Sequence, residues 1–457
     1  WTVSWHRWSD CWFTVPVRNG LARIGALALV GAALFGGTAS ASPGALTLLQ
    51  ARLGDVGMTG ARGLAVSPDG HHVYVAAPDA GAVVAYARAA DGTLTPLGCV
   101  RDPGRAAACA AEAQGLASPQ YVAVSPDGKN VYAGSGGGDD ALVTLNRDPA
   151  TGLLSDGGCW RDTSAATDCG TAHDAPALAG AEGVTVSPDG HDVYVVSQGD
   201  KGISRFTRDG GTGALTYASC IADATAGCTA TPVNAFLYPR EVTIAPDGRT
   251  IYAAAANSGP VAFARAADGS ISYLQTMSAL APALVVGITV SPDNRFVYTG
   301  SVNRSAVFAF QRDPATGTLT DAGCVKQQFS SAVCGAEVLG LAGTEGVAVA
   351  PDGKSLYASA FYGSALSVFD RSPATGGLTP AGCFRDLPTI PQGCATQTNG
   401  LGSSRAVAVS PDGLNVYATG QGDGAVVAFA RELPPPDAPA APAPAPTGTS
   451  GAPSGAV

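Results

Sequence analysis

Two glutamates set among arginines recur at one register of this chain, and they are the residues best able to do chemistry. The register is fixed by a tetrapeptide, Ser-Pro-Asp-Gly or a close variant, that occurs seven times. Six residues before its proline stand Arg62, Gln120, Glu182, Arg240, Val286, Glu345 and Arg405, and Glu241 follows Arg240. A carboxylate beside guanidinium groups can take a proton from water while the arginines hold an anionic or carbonyl ligand. Glu182 and Glu345 are therefore the candidate general bases, and Arg62, Gln120, Arg240, Glu241 and Arg405 the candidate ligand-binding collar. The plainer reading is that Glu182 pairs with Arg240, and Glu345 with Arg405, as salt bridges between neighbouring repeats. The sequence leaves the catalytic residue, if there is one, unknown.

Other chemistry is poorly represented. His71, His72 and His191 follow Asp-Gly turns at positions that carry Lys129 or Arg249 in other copies, which makes them turn residues. His173 stands alone. Five histidines without ligand spacing give no expectation of a metal, and no cofactor is expected. The glycine-rich run at 136–140 joins two strands and opens no helix, so it offers no amide cradle for a phosphate. No nucleophile elbow of the Gly-x-Ser-x-Gly kind opens a helix.

The elements that position the collar come from the repeat itself. Ser-Pro-Asp-Gly begins at Ser67, Ser125, Ser187 and Ser410, Ala-Pro-Asp-Gly at Ala245 and Ala350, and Ser-Pro-Asp-Asn at Ser291. Each copy lies between two apolar runs, the second carrying Tyr74, Tyr132, Tyr194, Tyr252, Tyr298, Tyr357 or Tyr417. Successive prolines are 46 to 62 residues apart, a period that marks units unable to bury their faces alone. Each unit reads as four strands; in the fifth they are 286–290, 296–300, 305–310 and 318–324. The first strands are apolar throughout rather than alternating, which requires cover on both faces. The fold class is therefore all-β, a seven-bladed propeller of four-stranded blades over residues 42–433. The last unit supplies three strands. Gly44-Ala45-Leu46-Thr47 matches Gly213-Ala214-Leu215-Thr216 of the third unit, so an N-terminal strand is expected to complete the last blade and close the ring.

The run Val-Ala-Val-Ser-Pro-Asp-Gly followed by Val-Tyr-Val or Val-Tyr-Ala resembles the YVTN-type repeat of bacterial surface and secreted propellers. Units such as 313–319 are similar to the propeller lactonases, which include 6-phosphogluconolactonases. The resemblance spans about 45–432, implies the propeller fold and allows a lactone-opening activity. The paired cysteines depart from the intracellular lactonases and suggest an exported branch.

Sevenfold repetition separates scaffold from site, because a residue present in every blade serves the blade. The turn aspartates, from Asp69 to Asp412, are excluded as catalysts on that ground. An arginine also ends every third strand: Arg88, Arg147, Arg208, Arg265, Arg312, Arg371 and Arg431. In-blade ion pairs between these two sets are expected.

Ten of the eleven cysteines fall into near pairs, Cys99–Cys109, Cys159–Cys169, Cys220–Cys228, Cys324–Cys334 and Cys383–Cys394. An even set behind an export signal implies disulfides. All lie on the face opposite the Pro-Asp turns, where long pinned loops on a rigid ring could bind a partner. The fourth unit lacks a pair and carries 276–282 in its place, a lateral entrance to the channel, an apolar contact for a partner or a decayed repeat.

Arg18 and Arg23 precede an apolar run at 24–35 and a small-residue site ending at Ala41. Residues 1–41 are thus expected to be a signal peptide, with 1–15 an over-extended start, and 434–457 a disordered Pro/Ala-rich tail. The expected location is secreted or extracellular, with the tail suited to a cell wall. A net charge of −10 and a pI near 4.9 exclude nucleic acid as the expected partner. No membrane span is expected in the mature chain, and a monomer is expected. The favoured function is a binding or interaction scaffold acting through its disulfide-stapled face on a protein, glycan or small molecule; the alternative is a lactonase-like hydrolase opening a ring ester at the channel mouth.

Overall fold

Seven sheets, each built on four antiparallel strands, close into a ring in the computed structural model, which describes residues 44–433 other than 106, 166–168, 170–172, 224, 233, 278–283 and 387–393. The expected signal peptide and tail lie outside the described residues, as does most of the loop expected to replace the fourth staple. Every regular element among the described residues is a strand, and no helix there is long and apolar enough to cross a membrane.

Each blade starts with an inner strand beside the channel: Leu64–Val66, Pro119–Val124, Ala181–Val186, Pro239–Ile244, Val285–Val290, Thr344–Val349 and Ser404–Val409. Each inner strand contacts the next, and the seventh contacts the first. Second and third strands are almost entirely buried between neighbouring blades, which explains why they carry unbroken apolar runs. The seventh sheet is completed by Leu46–Leu53, paired antiparallel to Ala425–Arg431 with Leu46 opposite Arg431. The N-terminal strand therefore closes the ring.

The repeated tetrapeptide forms the turn between first and second strands. Gly70 donates its N–H to the Ser67 carbonyl at 2.8 Å with φ at +72°, and Asn294 takes the same left-handed position in the fifth blade with φ at +63°. Ser67 Oγ accepts the His72 N–H at 3.0 Å and donates to Asp69 at 2.5 Å, tying the turn to both strands.

The ion pairs of this face run between blades, which corrects the expected in-blade pairing. Arg147 of the second blade reaches Asp69 of the first at 2.7 Å, and the pattern repeats as Arg208–Asp127, Arg265–Asp189, Arg312–Asp247, Arg371–Asp293, Arg431–Asp352 and Arg88–Asp412. Each arginine also donates to the tyrosine hydroxyl of the preceding blade, as Arg147 Nε does to Tyr74 at 2.7 Å. That hydroxyl in turn donates to a glycine carbonyl of the next blade, Gly152 for Tyr74 at 3.0 Å. The repeated Asp, Tyr and Arg are thus one ring of blade-to-blade clamps. The arginine side chain leaves its own sheet and crosses the gap to the blade before it.

Five of the seven blades hold five strands rather than the expected four. The extra strands, Ala111–Glu112, Asp174–Ala175, Thr229–Ala230, Ala336–Val338 and Thr396–Thr398, lie parallel to the fourth strand at the outer edge. These are the five blades with disulfides: Cys99–Cys109, Cys159–Cys169, Cys220–Cys228, Cys324–Cys334 and Cys383–Cys394. Each staple joins the fourth strand to the loop that returns as the fifth, so it covers an edge that would otherwise be open. Among the described residues, the fourth and seventh blades have neither staple nor fifth strand.

Candidate functional site

The collar residues stand at the N-terminal ends of the inner strands, on the stapled face. A backbone irregularity interrupts the pairing of six inner strands at this end, such as that between Pro239 and Glu241. The structure brings Arg62, Gln120, Glu182 and Arg240 into one network. Arg240 Nη1 donates to Glu182 Oε1 at 2.7 Å, and Arg62 Nη2 reaches Glu182 Oε2 at 3.3 Å from two blades away. Arg62 also bonds the side-chain oxygen of Gln120, whose amide is anchored on Ser118 Oγ at 2.8 Å. A second network holds Arg405 Nη1 at 2.6 and 2.7 Å from the two oxygens of Glu345. Arg405 Nε donates to Gln421 at 2.6 Å, and its guanidinium lies 4.1 Å above the Phe361 ring. Buried Val286 interrupts the polar ring between Arg240 and Glu345.

Both glutamates named as candidate bases are thus committed to arginines and buried. Glu241 is the carboxyl in a different state. It takes one hydrogen bond, from the Ile288 N–H at 3.1 Å, and no arginine pairs with it among the described residues. Burial raises its pKa, and the neighbouring Glu345 charge adds to this. The Ile288 amide and Arg62 oppose them, leaving the group at about 8. Beside it, burial pushes the Tyr121 phenol well above its ordinary value, so it stays a neutral donor. Arg62 lies over the Tyr121 ring, 5.3 Å from its centre.

A second uneven register lies one residue beyond the collar: Gly63, Tyr121, Gly183, Glu241, Gly287, Gly346 and Ala406. At Gly63 an added Cβ would come within 2.6 Å of the Gln120 carbonyl, and at Gly287 within 2.0 Å of the Glu345 carbonyl. Inner strands approach too closely there for side chains, yet Tyr121 and Glu241 carry large ones. Each lies with its Cα against the glycine of the blade before, where an added Cβ would come within 2.6 Å at Gly63 and 2.7 Å at Gly183. The signal was present in the sequence as the two breaks in a small-residue column.

Next to Arg405, a cavity of about 510 Å³ opens on the stapled face where the first, sixth and seventh blades meet, lined by Phe361, Gln421, Asp423, Asp79, Ser403 and the 54–60 connection. His72 is buried at the opposite face with Nδ1 2.6 Å from Arg147, and His173 packs on Trp160. No group of three or more potential metal ligands converges among the described residues.

Ring closure by the N-terminal strand, the sevenfold clamp and a charged lumen define a closed seven-bladed β-propeller with a polar channel site. Residues 57–220 match the family described as lactonase, seven-bladed β-propeller. A protein of Bacteroides uniformis described as a candidate 6-phosphogluconolactonase is 20% identical, with 73% of this chain and 86% of that one aligned at a TM-score of 0.54. A periplasmic gluconolactonase of Pseudomonas aeruginosa is 19% identical over 69% and 83%, at 0.51. Hydrazine synthase of Kuenenia stuttgartiensis is 17% identical over 83% and 97%, at 0.52. At these identities the likeness is one of fold. No curated protein sequence matches the chain.

Proposed function

We propose that this protein is an exported hydrolase that opens a ring ester at the stapled mouth of the channel, with Glu241 as general base. The observation that carries the reading is Glu241 itself, a carboxyl without an arginine partner whose pKa of about 8 suits proton transfer near neutral pH. The lactonase family match over 57–220 supports the reaction class, and five disulfides fit an oxidising compartment. In this scheme the ester carbonyl lies against Arg62 and Arg240, which stabilise the oxyanion as water adds. Glu241 takes the proton of that water. The acyl–oxygen bond then breaks, and Glu241 returns the proton to the leaving alkoxide, giving a hydroxy acid. Glu182 and Glu345 keep the arginines in place rather than react. The cavity beside Arg405 accepts whatever the ring ester carries.

Hydrolysis of a panel of five- and six-membered sugar lactones by the wild-type protein and Glu241→Gln tests this. Turnover lost in the variant with no fall in melting temperature supports the reading. An inactive wild type, or a fully active variant, rejects it. The second reading, a scaffold that binds through its stapled face, is favoured by Phe329, Val333 and Tyr362, which are 91%, 100% and 69% exposed there.

A further inference from the structure

The outer rim contains one recess in two states, filled by a glutamine at some blade junctions and open at others. In the two blades without staples, Gln50 and Gln275 stand at matching positions of the outermost strand, opposite Ala428 and Ala262. Gln50 Oε1 accepts the N–H of Leu94 in the first blade at 2.8 Å. Gln275 makes a two-sided contact with the fifth blade: the Leu319 N–H donates to Oε1 at 2.7 Å, and Nε2 donates to the Leu319 carbonyl at 3.0 Å. A side-chain amide thus fits the outward-facing backbone at the start of the next blade's fourth strand.

In the first and fifth blades the matching residues are Gly98, opposite Ala85, and Gly323, which falls in the irregular stretch of its pair. Both are left-handed, with φ at +135° and +98°, and nothing lies within 4 Å of where a Cβ would be. Beside each opens a groove. One, of about 190 Å³, is lined by Leu97, Gly98, Ala110, Ala111 and Leu154. The other, of about 260 Å³, is lined by Ala322, Gly323, Ala336, Gly377 and Leu378. Leu154 and Leu378 match Leu94 and Leu319, since each faces the arginine that ends its third strand. Among the described residues, no side chain bonds their backbone groups as Gln50 and Gln275 bond the others.

We infer that these two grooves dock a partner polypeptide by taking the primary amide of one of its glutamine side chains onto the backbone of Leu154 and of Leu378. The groove walls are apolar and suit the methylenes of the side chain, while the backbone N–H and C=O at the end reward an amide and reject a carboxylate. This docking is on the rim and independent of the channel chemistry.

The test is a titration of the ¹⁵N-labelled protein with blocked glutamine (N-acetylglutamine N-methylamide), beside blocked glutamate and blocked leucine. The expected result is saturable shifts of the Leu154 and Leu378 amides with glutamine alone, and none at Leu94 or Leu319, which are already occupied. Ala110→Trp and Ala322→Trp, exposed positions that fill the grooves, should abolish the response of their own groove only. Gln50→Ala should empty the junction with the first blade and make Leu94 respond. Absence of shifts, or equal shifts with leucine or glutamate, overturns the inference. Movement of the same amides on concentrating the protein without a probe overturns it in favour of a second copy of this chain.

Discussion

Tyr357 of the sixth blade donates its hydroxyl hydrogen to the carbonyl of Gly44 at 2.9 Å, across 313 residues of chain. The same hydroxyl accepts from Arg431 at 2.8 Å. Elsewhere in the ring the equivalent acceptor lies in the turn before a blade's own fourth strand, as Gly152 does for Tyr74. Gly44 therefore makes the N-terminal segment a true substitute for the strand that the seventh blade lacks, down to its clamp. Deleting residues 42–53 should remove both the outermost strand and this acceptor, leaving two sheet edges open. A sharp drop in melting temperature is expected, with Tyr357→Phe costing about 1–2 kcal/mol through the same contact. An unchanged melt of the deletion would reject closure by this strand.

The clamps should also set the acid limit of stability. Part-burial works against ionisation of Asp69 and Asp189, but bonds from the turn serine, a backbone amide and the next blade's arginine outweigh it and bring both to about 2. A depressed folded pKa gives stability that is present above the unfolded value near 3.8 and is lost as pH falls toward about 2. Melting temperature should therefore fall steeply over that window. Asp247→Ala, which leaves the wholly buried Arg312 without its counter-charge, should cost about 3 kcal/mol at neutral pH. Chemical denaturation of that variant reads the loss directly, and a cost below half a kcal/mol would show the pair to be dispensable.

Reduction should act at the rim and leave the ring closed. Each staple closes a loop of 8 to 11 residues, worth about 2–3 kcal/mol in the chain-entropy picture. Replacing Cys99 and Cys109 by serine should free Ala111–Glu112 from the fourth strand. Hydrogen exchange should then speed up at Ala113, whose N–H bonds the Arg101 carbonyl at 2.9 Å, while the second and third strands stay protected. Accelerated exchange through the whole first blade would show that the staple supports the core instead.

Much of this architecture was legible because seven copies average out local noise. The turns, the order of strands and the closing segment follow from residues such as Pro68, Gly70 and the Gly44–Thr47 match, whose roles are local. What escaped reading depends on distances between chains of unrelated sequence position. Arg147 could belong to its own blade or the one before, and only the gap between sheets decides. The fifth strands are two or three residues long, below any periodic signal, although the staples mark where they lie. In the site, the collar positions were readable from register, whereas the state of Glu241 depends on Gly183 letting a neighbouring strand come close. Glu182 and Glu345 looked reactive because sequence does not show that Arg62 spans two blades to reach Glu182.

His72 gives the first two blades an acid-sensitive joint. At its position five of the other six blades use Asn130, Asp192, Thr250, Ser355 or Asn415 to accept from the next blade's arginine, and the fifth blade has Phe296 under Arg371 instead. His72 can do so only with Nδ1 unprotonated. Burial, then the Arg147 charge and to a lesser extent His71, lower its pKa below the ordinary 6.5, against the smaller pull of Asp69 and Asp148. A depressed histidine is neutral in both states above that value, so stability is complete there and declines as pH falls below it, when the unfolded chain takes up the proton first. His72→Asn should flatten this decline between about pH 6.5 and 5, and equal pH slopes for the two proteins would refute it.

Glu241 should leave two marks on pH dependence. As a general base near 8 it must be deprotonated to work, so kcat/KM for a ring ester should rise with pH up to about 8 and then level. Glu241→Gln should lower turnover by about 10²–10⁴-fold and abolish the rise, while Glu182→Gln and Glu345→Gln should lose stability through their arginines. The second mark needs no substrate. A carboxyl whose pKa climbs from 4.5 unfolded to about 8 folded stabilises the protein fully below 4.5, and that stability is lost as pH rises toward 8. Wild type should therefore lose more stability than Glu241→Gln between pH 5 and 8, measured by urea unfolding. If the two proteins track each other over that range, Glu241 is an ordinary carboxylate, and the channel must be read as a salt-bridged plug rather than a site.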